Sequence, residues 1–400
     1  MTNGVDIVIP DYPSVAGQRF PLGSLKSNDL RLRICNTNSL ECKEYVKILE
    51  SEGFTKCVER SIPSSCEYSR QTNLFYTCVK ADVSVFVFWD CSINTVFITA
   101  EKGAELPLAN ETSMEKLGGK ILLTQISVTS GMFYVIRLAD GTFVCIDGGI
   151  SDQTDLSRAY EFFKLNSTGK PVISTWFFTH SHVDHIELAT EFIKKYSAEV
   201  ETKAFSYQFP DCDKIKVSME DCEKMHQDIL RLENAISTAQ PSAKIYTAHT
   251  GQVYHFAGAS VEVLYSPDNT YPYPYFSFNE LSLVLRLKVK DGKTVLFMGD
   301  CMGDGCRNIA HTYGDYLKSD ILQVTHHGLI GGDVFLYGFV NPKICLWPTP
   351  ENRFSGKLEG QKFQWCIGEG GCDYNAYLRD DCVAKRLHYS HGKDVTFTLK

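Results

Sequence analysis

Long apolar runs are missing from this chain: none approaches the length needed to span a bilayer. The opening residues, MTNGVDIVIPDYP, lack the basic and then apolar pattern of a secretion signal, so a cytoplasmic location away from membranes is expected. Basic charge is not in excess either. The net charge is −8, and no stripe of Lys and Arg is interleaved with aromatics, which argues against a polynucleotide partner. Cysteine is plentiful, fifteen in all, but no pair has C-x-x-C spacing and no zinc-ribbon pattern repeats. Most are therefore expected as reduced, buried thiols, with Cys301 and Cys306 set apart only by lying near a candidate site. A G-x-S-x-G nucleophile elbow is lacking. The glycines around Gly368–Gly371 match no phosphate-binding fingerprint.

What is present is concentrated between Val172 and Tyr196. Val172–Phe178 is a short apolar run rich in β-branched and aromatic residues and reads as a buried strand. From Ile186 onward the apolar residues recur at helical spacing with charged residues between them. Between strand and helix lie His180, His182, Asp184 and His185. Alternate residues of extended chain share a side, so His180 and His182 can aim at one point. Asp184 and His185, where the chain turns into the helix, can face a second point nearby. Imidazole and carboxylate are the donors expected for zinc, and they also suit manganese or iron. A solvated, His-rich turn is the alternative, and four such residues in H-x-H-x-D-H order argue against it.

Taken in order, residues 1–112 read as a small α+β domain. Its elements are a helix at Glu41–Phe54 and strands at Leu30–Cys35, Lys56–Ile62, Leu74–Lys80, Val83–Trp89 and Thr95–Ala100. It carries no chemical constellation, and homo-oligomer formation or a wall beside the active site is its expected role. Leu106–Lys116 reads as a linker. From residue 113 to residue 400 a second domain follows. Ile121–Val128, Met132–Leu138 and Thr142–Ile146 are strands, the last ending in Asp147-Gly148-Gly149. Helices are expected around Asp155–Leu165, Met219–Ala239, Cys306–Leu317 and Tyr374–Arg386. Leu281–Val289 and Thr294–Met298 form a strand pair ending in Gly299-Asp300. Strand Ile321–Thr325 ends in His326-His327-Gly328, and strands at Lys343–Trp347 and Asp394–Leu399 follow. Asp147, Asp300 and His326 thus end three strands, with the His180 loop at the end of a fourth, which is how sheets assemble active sites.

The order Asp147-Gly148-Gly149, H-x-H-x-D-H from His180 to His185, Gly299-Asp300 and His326 resembles the metallo-β-lactamase fold superfamily, over roughly residues 118–400. Asn279-x-x-Ser282, Leu296 to Asp300 and Val324 to Gly328 are similar to the hydrolase domain of the DNA-uptake protein ComEC and its soluble relatives. The resemblance implies an α+β fold, an αββα sandwich, behind the N-terminal domain. It implies two divalent ions, with His180 and His182 on the first, Asp184, His185 and His326 on the second, and Asp300 bridging. Asp147 would orient the His loop, and Asn279 and His327 would stand behind the ligands. His327 is the alternative to His326, which is preferred as the first residue past its strand. The further His that many members supply has no evident counterpart among His226, His249 and His255, so the first metal is expected to be the weaker.

Two ions sharing a water lower its pKa toward neutrality, and the expected nucleophile is that hydroxide, with Asp184 or Asp300 orienting it. A phosphodiester is the expected substrate, whether nucleotide, nucleic acid or small diester. An acyl ester, lactone or thioester is the alternative. Tyr271, Tyr273 and Tyr275 of the YPYPYFSF loop are candidate substrate contacts. A di-iron redox protein would usually carry Glu in place of His182, and a non-catalytic binding protein would have no use for so many buried ligands.

Overall fold

Short runs of β-branched and aromatic residues dominate the chain, and they pair into three sheets. In the computed structural model, residues 7–348 and 386–400 are described, except 15, 23–25, 65–70, 108–118, 151, 214, 216, 218, 219, 270–274, 276, 330 and 390–392. The loop at Gly368–Gly371 and Tyr271 and Tyr273 lie outside these residues. So does the helix expected at Tyr374–Arg386, save for Arg386, which begins a strand instead.

The first sheet comprises β1 (Gln18–Leu22), β2 (Asp29–Cys35), β3 (Thr55–Pro63), β4 (Thr72–Lys80), β5 (Val83–Asp90) and β6 (Thr95–Lys102), with helix α1 (Ser39–Ser51). It is antiparallel throughout, in the order β1-β2-β6-β5-β4-β3. Apolar residues occupy both parities of β5 because both faces are covered. Val85, Val87 and Trp89 pack with Tyr45, Val46 and Leu49 of α1. Phe88 joins the outer core of the third sheet, described below.

The second sheet has β7 (Leu122–Gln125), β8 (Tyr134–Arg137), β9 (Phe143–Ile146), β10 (Val172–Phe177), β11 (Glu201–Thr202), β12 (Ala204–Tyr207) and β13 (Lys244–Thr247). Helices α2 (Gln153–Leu165), α3 (Val183–Tyr196) and α4 (Cys222–Ala239) cover its outer face, where Phe143, Trp176, Phe163, Phe192 and Leu232 share one core. The third sheet has β14 (Val253–Phe256), β15 (Ala259–Tyr265), β16 (Val284–Val289), β17 (Thr294–Phe297), β18 (Ile321–Gln323), β19 (Ile344–Trp347) and β20 (Arg386–Tyr389). Helices α5 (Gly303–Tyr313) and α6 (Val334–Val340) lie on its outer side. Strand β21 (Val395–Thr398) returns to pair with β7. The second and third sheets meet face to face through Leu123, Ile136, Val144, Val261, Leu285 and Phe297. The fold is α+β, an αββα sandwich preceded by a small α+β unit. Among the described residues no helix is long and apolar enough to cross a membrane.

Several short elements escape sequence patterning, among them β12, β14 and α6 of four, four and seven residues, too few to show a period on their own. The N-terminal sheet is also more than an appendage. Its Phe75, Phe88 and Phe97 share a core with Leu264, Leu296 and Tyr313, so it covers part of the third sheet's outer face. A buried ionic cluster sits at that contact. His249 Nδ1 lies 2.8 Å from Asp268 Oδ2, its Nε2 lies 2.9 Å from Glu101 Oε2 on β6, and its ring stacks on Phe86 of β5 at 3.7 Å. Arg31 of β2 donates to the carbonyls of Pro267 and Asp268 at 2.6 and 3.1 Å. Burial opposes a charge on His249, but the two carboxylates outweigh it and raise its pKa to about 9.

A histidine that titrates near 6.5 unfolded and about 9 folded contributes stability that is complete below pH 6.5 and lost as pH rises to about 9. Denaturant unfolding should therefore show wild-type stability falling across that window. His249→Gln should flatten the slope and cost about 3–5 kcal/mol, the usual result of breaking a buried ionic pair. A variant as stable as wild type would mean the cluster does not hold the sheet in place.

Candidate metal centre

Strands β9, β10, β17 and β18 run parallel at the heart of the two sandwich sheets or beside it, and each delivers one part of the site at its C-terminal end. Past β9 the chain turns at Asp147, which takes a left-handed backbone with φ +55°. Its carboxylate accepts from the Thr179 amide at 2.8 Å and the Thr179 hydroxyl at 2.9 Å, and lies 2.8 Å from His185 Nδ1. Past β10, residues 178–182 form the His loop, and His182 is the N-cap of α3 without capping it by its side chain. Gly131 supports this loop. Its φ is +93°, and a Cβ there would sit 1.8 Å from the Asp184 carbonyl oxygen.

The ring nitrogens converge. His180 Nε2 lies 3.0 Å from His182 Nδ1 and 3.7 Å from Asp300 Oδ2. His185 Nε2 and His327 Nε2 are each 3.3 Å from the same Asp300 oxygen. His327 Nε2 is 3.2 Å from Asp184 Oδ2, and His185 Nε2 is 3.9 Å from Asp184 Oδ1. Ligand atoms around a tetrahedral ion bonded at about 2.1 Å stand about 3.4 Å apart, so these spacings suit metal ions at the centre. Two overlapping groups result: His180, His185 and Asp300, and Asp184, His185 and His327. His182 adjoins the first through His180.

Each imidazole is also held from behind. His180 Nδ1 meets Thr179 Oγ1 at 3.1 Å, His182 Nε2 meets Glu220 Oε2 at 2.6 Å, and His327 Nδ1 donates to the Pro348 carbonyl at 3.1 Å. With Asp147 behind His185, all four rings turn an unprotonated nitrogen inward when neutral, the arrangement that metal-binding histidines need. The buried inward atoms His185 Nε2, His327 Nε2 and Asp300 Oδ1 make no hydrogen bond. Buried polar atoms left so are costly, and an ion would satisfy them, so the residues fit the divalent metals expected from sequence.

The electrostatics point the same way. Burial works against a charge on Asp300, yet His327 and His185 beside it hold its carboxyl well below the usual range. Burial likewise opposes protonation of His327, and Asp300 and Asp184 push its pKa up to about 10. Burial and the neighbouring His185 push His180 down. The carboxylates demand positive charge here, which protons or a metal can supply.

Of the residues singled out from sequence, the structure brings His180, His182, Asp184, His185 and Asp300 together, with Asp147 behind them. The two histidines after β18 exchange the places expected of them. His327 enters the cluster, whereas His326 lies at its mouth, where its Nε2 accepts from Asn279 Nδ2 at 3.3 Å. The strand stops at Gln323, and both histidines adopt left-handed backbones (φ +49° and +56°), so the first residue past the strand is not the one aimed inward. Asn279 lines the same cleft as His326. Tyr275 is buried in the core that includes residues of α3 and α4. Glu220 was not anticipated. It falls inside the helix expected over Met219–Ala239 but lies just before the Asp221 cap of α4, and no motif marks it.

No family model matches the chain, and no curated protein matches it. Solved structures do. The metallo-β-lactamase fold protein YhfI from Bacillus subtilis is 10% identical, over 69% of this chain and 99% of its own, with a TM-score of 0.39. Zn²⁺-bound PqqB from Methylobacterium extorquens is 10% identical, over 68% of this chain and 88% of its own, with a TM-score of 0.38. CmlA, a diiron β-hydroxylase from Streptomyces venezuelae, is 12% identical over 71% of this chain with a TM-score of 0.40, and the match spans 55% of CmlA. The structural neighbours are thus metallo-β-lactamase fold proteins.

The exchange of His326 and His327 has a measurable outcome. Metal analysis after zinc loading should find about two ions per chain in wild type and in His326→Ala, and about one in His327→Ala. Full occupancy in His327→Ala together with a loss in His326→Ala would restore the order expected from sequence.

Proposed function

We propose that this chain is a two-metal hydrolase of the metallo-β-lactamase superfamily, acting on a small phosphodiester. The observation that supports it is a pair of overlapping ligand groups, His180, His185 and Asp300 in one and Asp184, His185 and His327 in the other, with His182 beside His180. Two divalent ions held there would activate a water and polarise the oxygens of a phosphoryl or acyl centre. Asp184 and Asp300 are committed as ligands, so their part is to orient that chemistry and not to act as free acid or base.

The cleft has a volume of about 160 Å³ and is lined by Ser130, Gly131, Asn279, His326, Leu329 and Pro348, besides His182, Asp184, Asp300 and His327. The Asn279 amide and the His326 ring are hydrogen-bonding groups placed for the oxygens of a substrate. No Lys or Arg is among the described lining residues, which favours a small diester over a polynucleotide. The ComEC-like pattern Asn279-x-x-Ser282 also has a physical counterpart. Asn279 lines the cleft, and the Ser282 hydroxyl accepts from the Asp300 amide at 3.2 Å. An acyl ester, lactone or thioester remains the second reading, since the same floor serves a carbonyl centre.

A zinc- or manganese-reconstituted screen separates these readings. Bis(p-nitrophenyl) phosphate should be hydrolysed, and His182→Ala and Asp300→Asn should reduce the rate to the reagent blank. Turnover of a lactone or thioester without the diester would select the acyl reading. Equal rates for wild type and both variants on every substrate would refute a hydrolase, and iron with a visible absorption band would replace it by a redox protein.

A further inference from the structure

We propose that Glu220 positions His182, fixing the tautomer that presents Nδ1 to the first metal. The inference rests on the two-metal reading above. Between His185 and Asp300 the sequence offers His226, His249 and His255. His226 lies on α4, His249 is spent in the ionic cluster beneath the N-terminal sheet, and His255 lies on β14. Among the described residues none of these three adds to the group of His180, His185 and Asp300, and His182 Nδ1 adjoins that group through His180 Nε2, so on the two-metal reading the presentation of His182 matters.

His182 is also the ligand histidine with most freedom. Its side chain is 19% exposed, whereas those of His180 and His185 are 1% and 0% exposed. A ring flip would exchange Nδ1 and Nε2 and remove the donor atom from its place. Glu220 prevents this. A carboxylate only accepts, so its 2.6 Å contact puts the ring proton on Nε2 and leaves the Nδ1 lone pair facing His180 Nε2, 3.0 Å away. Glu220 is itself anchored: its Oε1 accepts from the Phe278 amide at 3.2 Å, at the start of the turn that carries Asn279. Phe278 in turn lies edge-on to the His182 ring, with centroids 6.2 Å apart. Glu220 contacts the face of His182 turned away from the cluster, which makes it a positioning residue and not a ligand.

The test is zinc titration of the metal-free full chain in competition with a chromophoric chelator, a readout independent of turnover. Glu220→Ala should weaken one of two sites about 10- to 100-fold, the usual effect of removing a carboxylate behind a ligating imidazole. The other site should be unchanged, which also reports that the fold is intact. Glu220→Gln, whose carbonyl can accept the same N–H, should stay close to wild type. The double variant Glu220→Ala/His182→Ala should bind no more weakly than His182→Ala alone. Wild-type affinity at both sites in Glu220→Ala, equal weakening of both, or a further loss in the double variant would each overturn the proposal. If wild type holds no zinc at all, the two-metal reading falls as well, whereas two sites indifferent to Glu220 would overturn this inference alone.

Discussion

Asp147 is a carboxylate with no solvent exposure, and nearby donors converge on it. The Thr179 amide and hydroxyl and His185 Nδ1 supply those hydrogen bonds, while its backbone carbonyl accepts from the Trp176 indole at 2.9 Å. Strand β9, the His loop and helix α3 can satisfy this group together or not at all. Thr179 extends the constraint to the third sheet. Gly299, at the end of β17, approaches it so closely that a Cβ would lie 2.8 Å from the Thr179 Cβ, on a backbone with φ +54°. The residue after that glycine is Asp300. The ligands of both sheets are therefore referred to one threonine, and one buried carboxylate fixes that threonine in place.

The arrangement explains why the site lies where it does. Parallel strands end together, and the turns leaving them can carry polar side chains into a common crevice without breaking the core. Below this level the sandwich is closed by apolar side chains of both sheets; above it the ligand atoms are buried yet short of partners. Three of those atoms, on His185, His327 and Asp300, belong to residues that lie within reach of one another, and that proximity is the physical content of the site.

Much of this could be read from the sequence, for reasons that differ by element. The His180–His185 loop was legible because a strand period gives way to a helix period on either side of it. Asp147 and Asp300 were legible because each sits beside a glycine at a strand end. His327 was not, because two successive left-handed residues after a three-residue strand leave no period from which to count. Glu220 was invisible because its partner lies 38 positions away and no local pattern marks it. The partner of the N-terminal sheet was likewise hidden. Apolar residues on both parities of Val83–Trp89 say that both faces are covered, but not that His249 and Asp268 wait on one side.

The closure of the second sheet bears on how the chain reaches this state. Strand β21 lies against β7, where the Thr396 and Thr124 hydroxyls meet at 2.9 Å across 272 residues of sequence, and Glu101 finds His249 across 148. Contacts of such separation require long loops to close, and the entropy of that closure opposes their formation. Until then the β7 edge is an unpaired row of backbone donors and acceptors beside apolar side chains, open to pairing with another chain. The strand that completes the sandwich is thus also the one that covers this edge once the chain is folded.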